Sequence, residues 1–154
     1  RLTRFASEDI GLAEPDALPR ALAAWQAYER LGTPEGELAI ANLVIYLATA
    51  PKSNAVYVAY KGAMRAAKEH GSLLPPARIL NAPTKLMQQM GYHEGYRYAH
   101  DEPNGYAAGQ SYFPEGVARP GWYQPTDRGV ERRLGERLTW LRSLDDGTLP
   151  EADA

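Results

Sequence analysis

From Gly91 to Pro125 the chain carries six glycines, four prolines and six of its ten tyrosines, and no run within it reads as a helix. A stretch of that length without regular structure is uncommon inside a compact domain, and it is usually either functional or disordered. Disordered segments are poor in aromatic residues. This one holds Tyr92, Tyr96, Tyr98, Tyr106, Tyr112, Phe113, Trp122 and Tyr123, large apolar rings with polar edges. The segment therefore reads as ordered and non-helical, packed across the helices on either side of it. Just before it, Ala82-Pro83-Thr84 starts a short helix in which Leu86, Met87 and Met90 follow at helical spacing.

Helical patterns account for the rest. Leu2, Phe5, Ala6 and Ile10 fit a helix that Gly11 stops. Its rhythm is already running at Arg1, with no initiating methionine, which suggests a piece of a longer protein. Pro15 and Asp16 open a second helix with Leu18, Ala21, Leu22, Trp25, Tyr28 and Leu31 on one face and Gly32 at its end. Pro19 should either distort its first turn or mark its true start. Thr33-Pro34 reads as the cap and first position of a third helix, and from Leu38 to Ala48 that helix is apolar nearly all round. A helix with no polar face is expected to be buried on every side, at the domain centre or at a subunit interface.

Pro51-Lys52-Ser53-Asn54 breaks the third helix, and Ser53 can cap the fourth. Ala55 to Tyr60 alone would suit a strand. Val56, Tyr60, Ala63, Met64 and Ala67 keep a helical spacing up to Gly71, too long for one. Leu73 to Arg78 is an extended connector. Pro125-Thr126-Asp127 starts the last helix, with Val130, Leu134, Leu138, Leu141 and Leu144 as its apolar stripe. Arg128, Arg132, Arg133, Arg137 and Arg142 face away from that stripe, relieved by Glu131 and Glu136. The sum is an all-α bundle of about six helices with one long irregular Tyr/Gly-rich segment before the last. Residues 1–144 form the domain, and 145–154 read as a flexible acidic tail.

Catalytic motifs are missing. No G-x-x-x-x-G-K phosphate loop occurs, and no lysine follows any glycine. His93-Glu94 invites comparison with H-E-x-x-H, but Arg97 stands where the second zinc ligand belongs. His93, His100, Asp101 and Glu102 could gather a metal only through loop folding; histidines beside tyrosines more often hydrogen-bond backbone or hydroxyl groups. Ser7-Glu8-Asp9 places carboxylates side by side, where helix geometry points them apart. The absence of cysteine excludes disulfides and fits a reducing, cytoplasmic setting. A net charge of −2 does not advertise nucleic acid as a partner. Tyrosines near Lys85, Arg97 and Arg119 supply stacking and charge for single strands. Against that, Asn81 to Pro125 holds three basic residues and four acidic ones. No run of residues is long and apolar enough to span a bilayer.

Several short motifs in fixed order resemble one family. They are Arg4-Phe5-Ala6-Ser7-Glu8-Asp9-Ile10-Gly11, Ala-Ala-Trp-Gln-Ala at 23–27, Ala50-Pro51-Lys52-Ser53-Asn54, Asn81-Ala82-Pro83-Thr84-Lys85, Gly95-Tyr96-Arg97-Tyr98-Ala99-His100-Asp101 and Tyr112-Phe113-Pro114. The family is that of replication-associated recombination protein A, clamp-loader-related AAA+ ATPases whose eukaryotic relative is the Werner helicase-interacting ATPase. The likeness runs from Arg1 to Leu144, and Pro19 is its one clear departure.

The resemblance implies a C-terminal helical domain that holds ATPase modules together as a homotetramer. ATP and magnesium would then bind in an N-terminal region outside this chain, leaving this part with neither cofactor nor catalysis. It further implies that the whole protein is cytoplasmic and nucleoid-associated, and acts at stalled forks on DNA with single-stranded-DNA-binding protein. Tyr46, Lys52, Ser53, Asn54, Lys85, Tyr96, Arg97, Tyr98, His100, Asp101 and Tyr112 become the candidate interaction or packing residues. The runner-up is a DNA- or protein-binding module using segment 91–125 or the arginine-rich last helix.

Overall fold

The computed structural model describes residues 1–147, which are all-helical with six α-helices and no strand. They are α1 (Leu2–Phe5), α2 (Ala17–Leu31), α3 (Glu35–Thr49), α4 (Ala55–His70), α5 (Lys85–Gln89) and α6 (Glu131–Asp145). A π turn at Ala6–Ile10 continues α1, and short 3-10 turns punctuate the connections. The described residues pack as two compact units, Arg1–Ala66 with Trp122–Leu138, and Ala67–Gly121 with 139–147.

The first unit is built on α2 and α3. Pro19 sits in the first turn of α2, where no intrahelical partner awaits its missing N–H, so the helix starts at Ala17 without breaking. Gly32, at φ 68°, ends α2 and donates its N–H to the Tyr28 carbonyl at 2.8 Å. A Cβ at Gly36 would lie 2.8 Å from Tyr28 Cα, so the glycine lets the two backbones come together. Acidic Glu35 and Glu37 occupy the first turn of α3. Its last turn is closed by Lys52, whose Nζ reaches the carbonyls of Ala48 at 3.1 Å and Ala50 at 3.0 Å.

The core of this unit consists of Ala6, Ile10, Ala17, Ala21, Ala24, Leu43 and Leu47. It is mostly alanine. Larger side chains lie outside it: Leu22, Trp25, Leu31, Leu38, Val44 and Ile45 are all exposed. The expectation that α3 is wrapped on every side therefore fails within the chain. Gly36, Leu43 and Leu47 are buried, whereas Leu38 is 67% and Ile45 65% exposed.

In the second unit, Thr84 caps α5 by accepting the Met87 N–H at 3.3 Å, as its place after Pro83 suggests. The Tyr/Gly-rich segment is non-helical apart from 3-10 turns at Ala99–Asp101 and Pro103–Gly105. Its aromatic side chains are less covered than expected. Tyr96, Tyr98 and Tyr112 are exposed, and none of the eight large rings is fully buried.

The last helix begins at Glu131, not at Pro125. Gly129, at φ 51°, bends the chain so that Val130 N–H meets the Ala13 carbonyl at 2.9 Å before the helix can start. The helix also runs through Asp145, one residue into the expected tail; residues 148–154 of that tail lie outside the described residues.

Candidate functional site

Ser53 gathers three stretches of the first unit. Its backbone N–H donates to the carbonyls of Asp9 at 2.8 Å and Ile10 at 3.3 Å, at the end of the π turn. A Cβ at Gly11 would sit 2.6 Å from the Ser53 carbonyl oxygen, so only glycine admits this approach. The Ser53 hydroxyl accepts the Ala55 N–H at 3.2 Å, capping α4, and hydrogen-bonds to Glu131. Pro51 packs where a Cβ at Gly129 would fall, and Arg128 Nη1 donates to the Lys52 carbonyl at 3.0 Å. The Asp-Ile-Gly and Pro-Lys-Ser motifs thus meet in space because they dock on each other.

Glu131 completes this knot. Read from the sequence as a solvated partner of the arginines, it is instead fully buried. The reason is its position at the first turn of α6, where a carboxylate can answer the N–H and hydroxyl groups of the incoming chain. It accepts from Tyr123 Oη at 3.0 Å, Thr126 N at 3.0 Å and Thr126 Oγ1 at 2.7 Å. Burial works to raise its pKa. The bonds from Ser53, Thr126 and Tyr123 outweigh burial and hold it below the usual glutamate range. Burial, with the neighbouring carboxylate, pushes the Tyr123 phenol well up. Ser53 is 3% exposed, with its hydroxyl committed to the Ala55 N–H and Glu131, so the cluster holds backbone in place and presents no nucleophile. Asn54 contributes its carbonyl to the first turn of α4.

The candidates in the second unit do not converge. Tyr96 stacks on His93 with ring centroids 4.5 Å apart, and Tyr98 lies 5.0 Å from His100 at a tilt. Arg97 is committed to Glu102 through Nε at 2.7 Å and to the Ala108 carbonyl at 2.7 Å. Tyr112 donates to Gln110 at 3.3 Å, while Lys85 and Asp101 are exposed. Among the described residues no group of three or more His, Asp or Glu side chains is placed to hold a metal ion. Sequence reasoning passed over the polar centre of this unit, Asp145. Its carboxylate accepts from Tyr106 Oη and Gly109 N–H at 2.9 Å and pairs with Arg119. Burial opposes its ionisation, but the bonds from Gly109, Tyr106 and Arg119 lower its pKa. The signal was an acidic residue one helical turn beyond Leu141, followed by another acid, and it looked like a tail.

Tyr46 lies on α3, half-buried, with the Arg20 guanidinium 4.6 Å from its ring centroid. Beside it runs an open groove floored by Ala23, Ala24, Ala27 and Ala39. Burial, and then hydrogen bonding to Glu14, raises the Tyr46 pKa.

Polar clusters that tie backbone, a small-residue core and an uncovered apolar helix define the class: a helical packing module. The chain belongs to the MgsA AAA+ ATPase C-terminal family, which matches residues 1–142. It is 51% identical over 148 residues to replication-associated recombination protein A of Escherichia coli K12, covering 96% of this chain and 33% of that protein. The protein of the same name from Coxiella burnetii is 53% identical over 146 residues, covering 95% and 33%. The ATPase WRNIP1 of Dictyostelium discoideum is 39% identical over 124 residues, covering 80% and 14%. The chain spans about a third of the length of the bacterial relatives, 33% in each of these two. Among the described residues no helix is long and apolar enough to cross a membrane.

Proposed function

We propose that this chain is the self-association module of a DNA-dependent AAA+ ATPase acting in replication-associated recombination, and that it joins the parent protein into a homotetramer. The carrying observation is the inverted burial of the first unit. Four of the seven core residues are alanines, joined by Ile10, Leu43 and Leu47, while Leu38 is 67%, Ile45 65%, Leu31 60% and Trp25 59% exposed. Contiguous apolar surface beyond a few hundred Å2 marks interaction sites. Burying a large aliphatic side chain contributes roughly 1.5–3 kcal/mol, so covering Leu38 and Ile45, which share the outer face of α3, favours association. The number four, the cytoplasmic, nucleoid-associated setting, and DNA and single-stranded-DNA-binding protein as partners of the parent all rest on the family likeness. So does an ATP and magnesium site elsewhere in the parent, with no turnover by this part alone.

Light scattering of the purified chain at tens of micromolar tests the reading. A mass several times 17.0 kDa is expected, and a monodisperse 17.0 kDa species would sink it. A second reading, binding of DNA or of a protein through segment 91–125 or α6, is favoured by the exposed rings of Tyr96, Tyr98 and Tyr112. The three basic against four acidic residues from Asn81 to Pro125 weigh against nucleic acid. Salt-sensitive capture of a labelled oligonucleotide by the chain alone would give it priority.

A further inference from the structure

Leu38, Ala41, Ile45 and Ala48 on α3 are all exposed. Their spacing of three, four and three residues is that of a helix-pairing seam. At about 100° per residue the seam faces away from Gly36, Leu43 and Leu47, the buried side of the same helix. It carries no charge over its whole length. Its sizes alternate: large, small, large, small.

That order is self-complementary in one orientation only. If a second α3 runs antiparallel about a two-fold axis at Leu43, residues equidistant from Leu43 face each other. Leu38 then meets Ala48 of the second copy, and Ala41 meets Ile45. Every large side chain lands on a small one, as interdigitated helix packing requires. A parallel pair would set Leu38 against Leu38 and alanine against alanine, so the large layers would hold the helices apart and leave gaps at the alanine layers. A two-fold contact must use one patch on both copies, and this patch fits itself. Antiparallel macrodipoles favour the same orientation.

We infer that α3 pairs antiparallel with α3 of a second copy of this chain, the Leu38–Ala48 seam forming the two-fold contact. This inference rests on the self-association reading above and specifies its surface. The chain has no cysteine, so engineered ones report without background. Leu38→Cys and Ala48→Cys chains would be co-expressed, oxidised and run on a non-reducing gel, with each variant alone as control. In the antiparallel register Cys at 38 faces Cys at 48 of the other copy, within disulfide reach. Two copies of Leu38→Cys alone would hold their thiols ten residues apart along the axis, about 15 Å, beyond bridging.

The expected result is a two-chain band from the mixture and none from either variant alone, with circular dichroism unchanged from wild type. A two-chain band from Leu38→Cys alone would mean a parallel pair and overturn the inference. So would no band from the mixture when light scattering shows wild type to be oligomeric, since the contact then lies elsewhere. A monomeric wild type would instead remove the self-association reading itself. As a second measure, Ile45→Glu should lower the mass in solution, whereas Val58→Glu on exposed α4 should leave it unchanged; an unchanged mass for Ile45→Glu overturns the inference as well.

Discussion

Replacing Glu131 with leucine should be the most damaging single polar-to-apolar change in the first unit. The carboxylate is held by neutral donors: Tyr123 Oη, Thr126 N, Thr126 Oγ1 and Ser53. Leucine has a similar volume but accepts nothing, so the cost is that of donors left dry. Each buried donor without a partner costs about 1–3 kcal/mol. Hydroxyls can turn toward other acceptors, but the Thr126 N–H cannot. The total expected is ~3–5 kcal/mol, the range found when a buried charged network loses one partner. For a chain of this size that lowers Tm by about 6–20 °C. Glu131→Gln keeps one acceptor and turns an NH2 donor toward other donors, so it should cost an intermediate ~1–3 kcal/mol.

Urea and thermal unfolding followed by circular dichroism measure both variants. A Glu131→Leu protein melting within about 1 °C of wild type would refute the reasoning, since surface-like indifference is ~0.5 kcal/mol or less. The pH dependence gives an independent reading. The Glu131 pKa is lowered in the folded state relative to the ordinary 4.5. Its stabilisation is therefore fully present above about pH 4.5 and is lost as pH falls through the lower folded value. Glu131→Gln removes that titration, so its acid limb should be shallower than that of wild type.

Two further substitutions test the other joints. Gly129→Ala should destabilise by at least ~2 kcal/mol in thermal melts, because φ is 51° and the new Cβ would fall on the Ala13 carbonyl oxygen; Gly32→Ala, also at positive φ but with nothing within 4 Å, should cost only about 1 kcal/mol. Asp145→Asn weakens the bonds to Tyr106, Gly109 and Arg119, and should quicken hydrogen exchange at the Gly109 amide while leaving the first unit's protection unchanged.

Helix identity was legible because it rests on local spacing. α2 and α4 fall where periodicity and the glycine stops put them, and Thr84 and Ser53 cap the helices they precede. α3 starts one residue later than expected, at Glu35, with Pro34 rather than Thr33 at its N-cap and no side-chain cap bond. What escaped depended on partners distant in sequence. Glu131 looks like one more acid among arginines until Ser53, Tyr123 and Thr126 converge on it. The start of α6 slid from Pro125 to Glu131 because Ala13 claims the Val130 N–H, a bond no window around residue 130 can contain. Tyr96, Tyr98 and Tyr112 were credited with burial on their size alone; a surface tyrosine and a buried one read the same in sequence. The motif residues Lys52 and Ser53 stood among the candidate interaction or packing residues; in the structure Lys52 closes α3, and Ser53 caps α4 as its place in the sequence suggests.

That use of Lys52 and Ser53 bears directly on association. α3 is fastened at its first turn by the glycine contact between Gly36 and Tyr28, and at its last by the Lys52 cap and the Ser53–Glu131 knot just beyond. Between those ties Leu43 and Leu47 anchor one side in the core. A helix held at both ends and along its back presents its outer seam with little conformational freedom left to lose. Ordering costs otherwise consume much of what apolar contact contributes to binding, and pre-organisation removes them. The polar residues that resemble a chemical site thus act one step before the contact. Leucine, isoleucine and alanine make the contact itself, and they carry no motif by which a sequence search for chemistry would notice them.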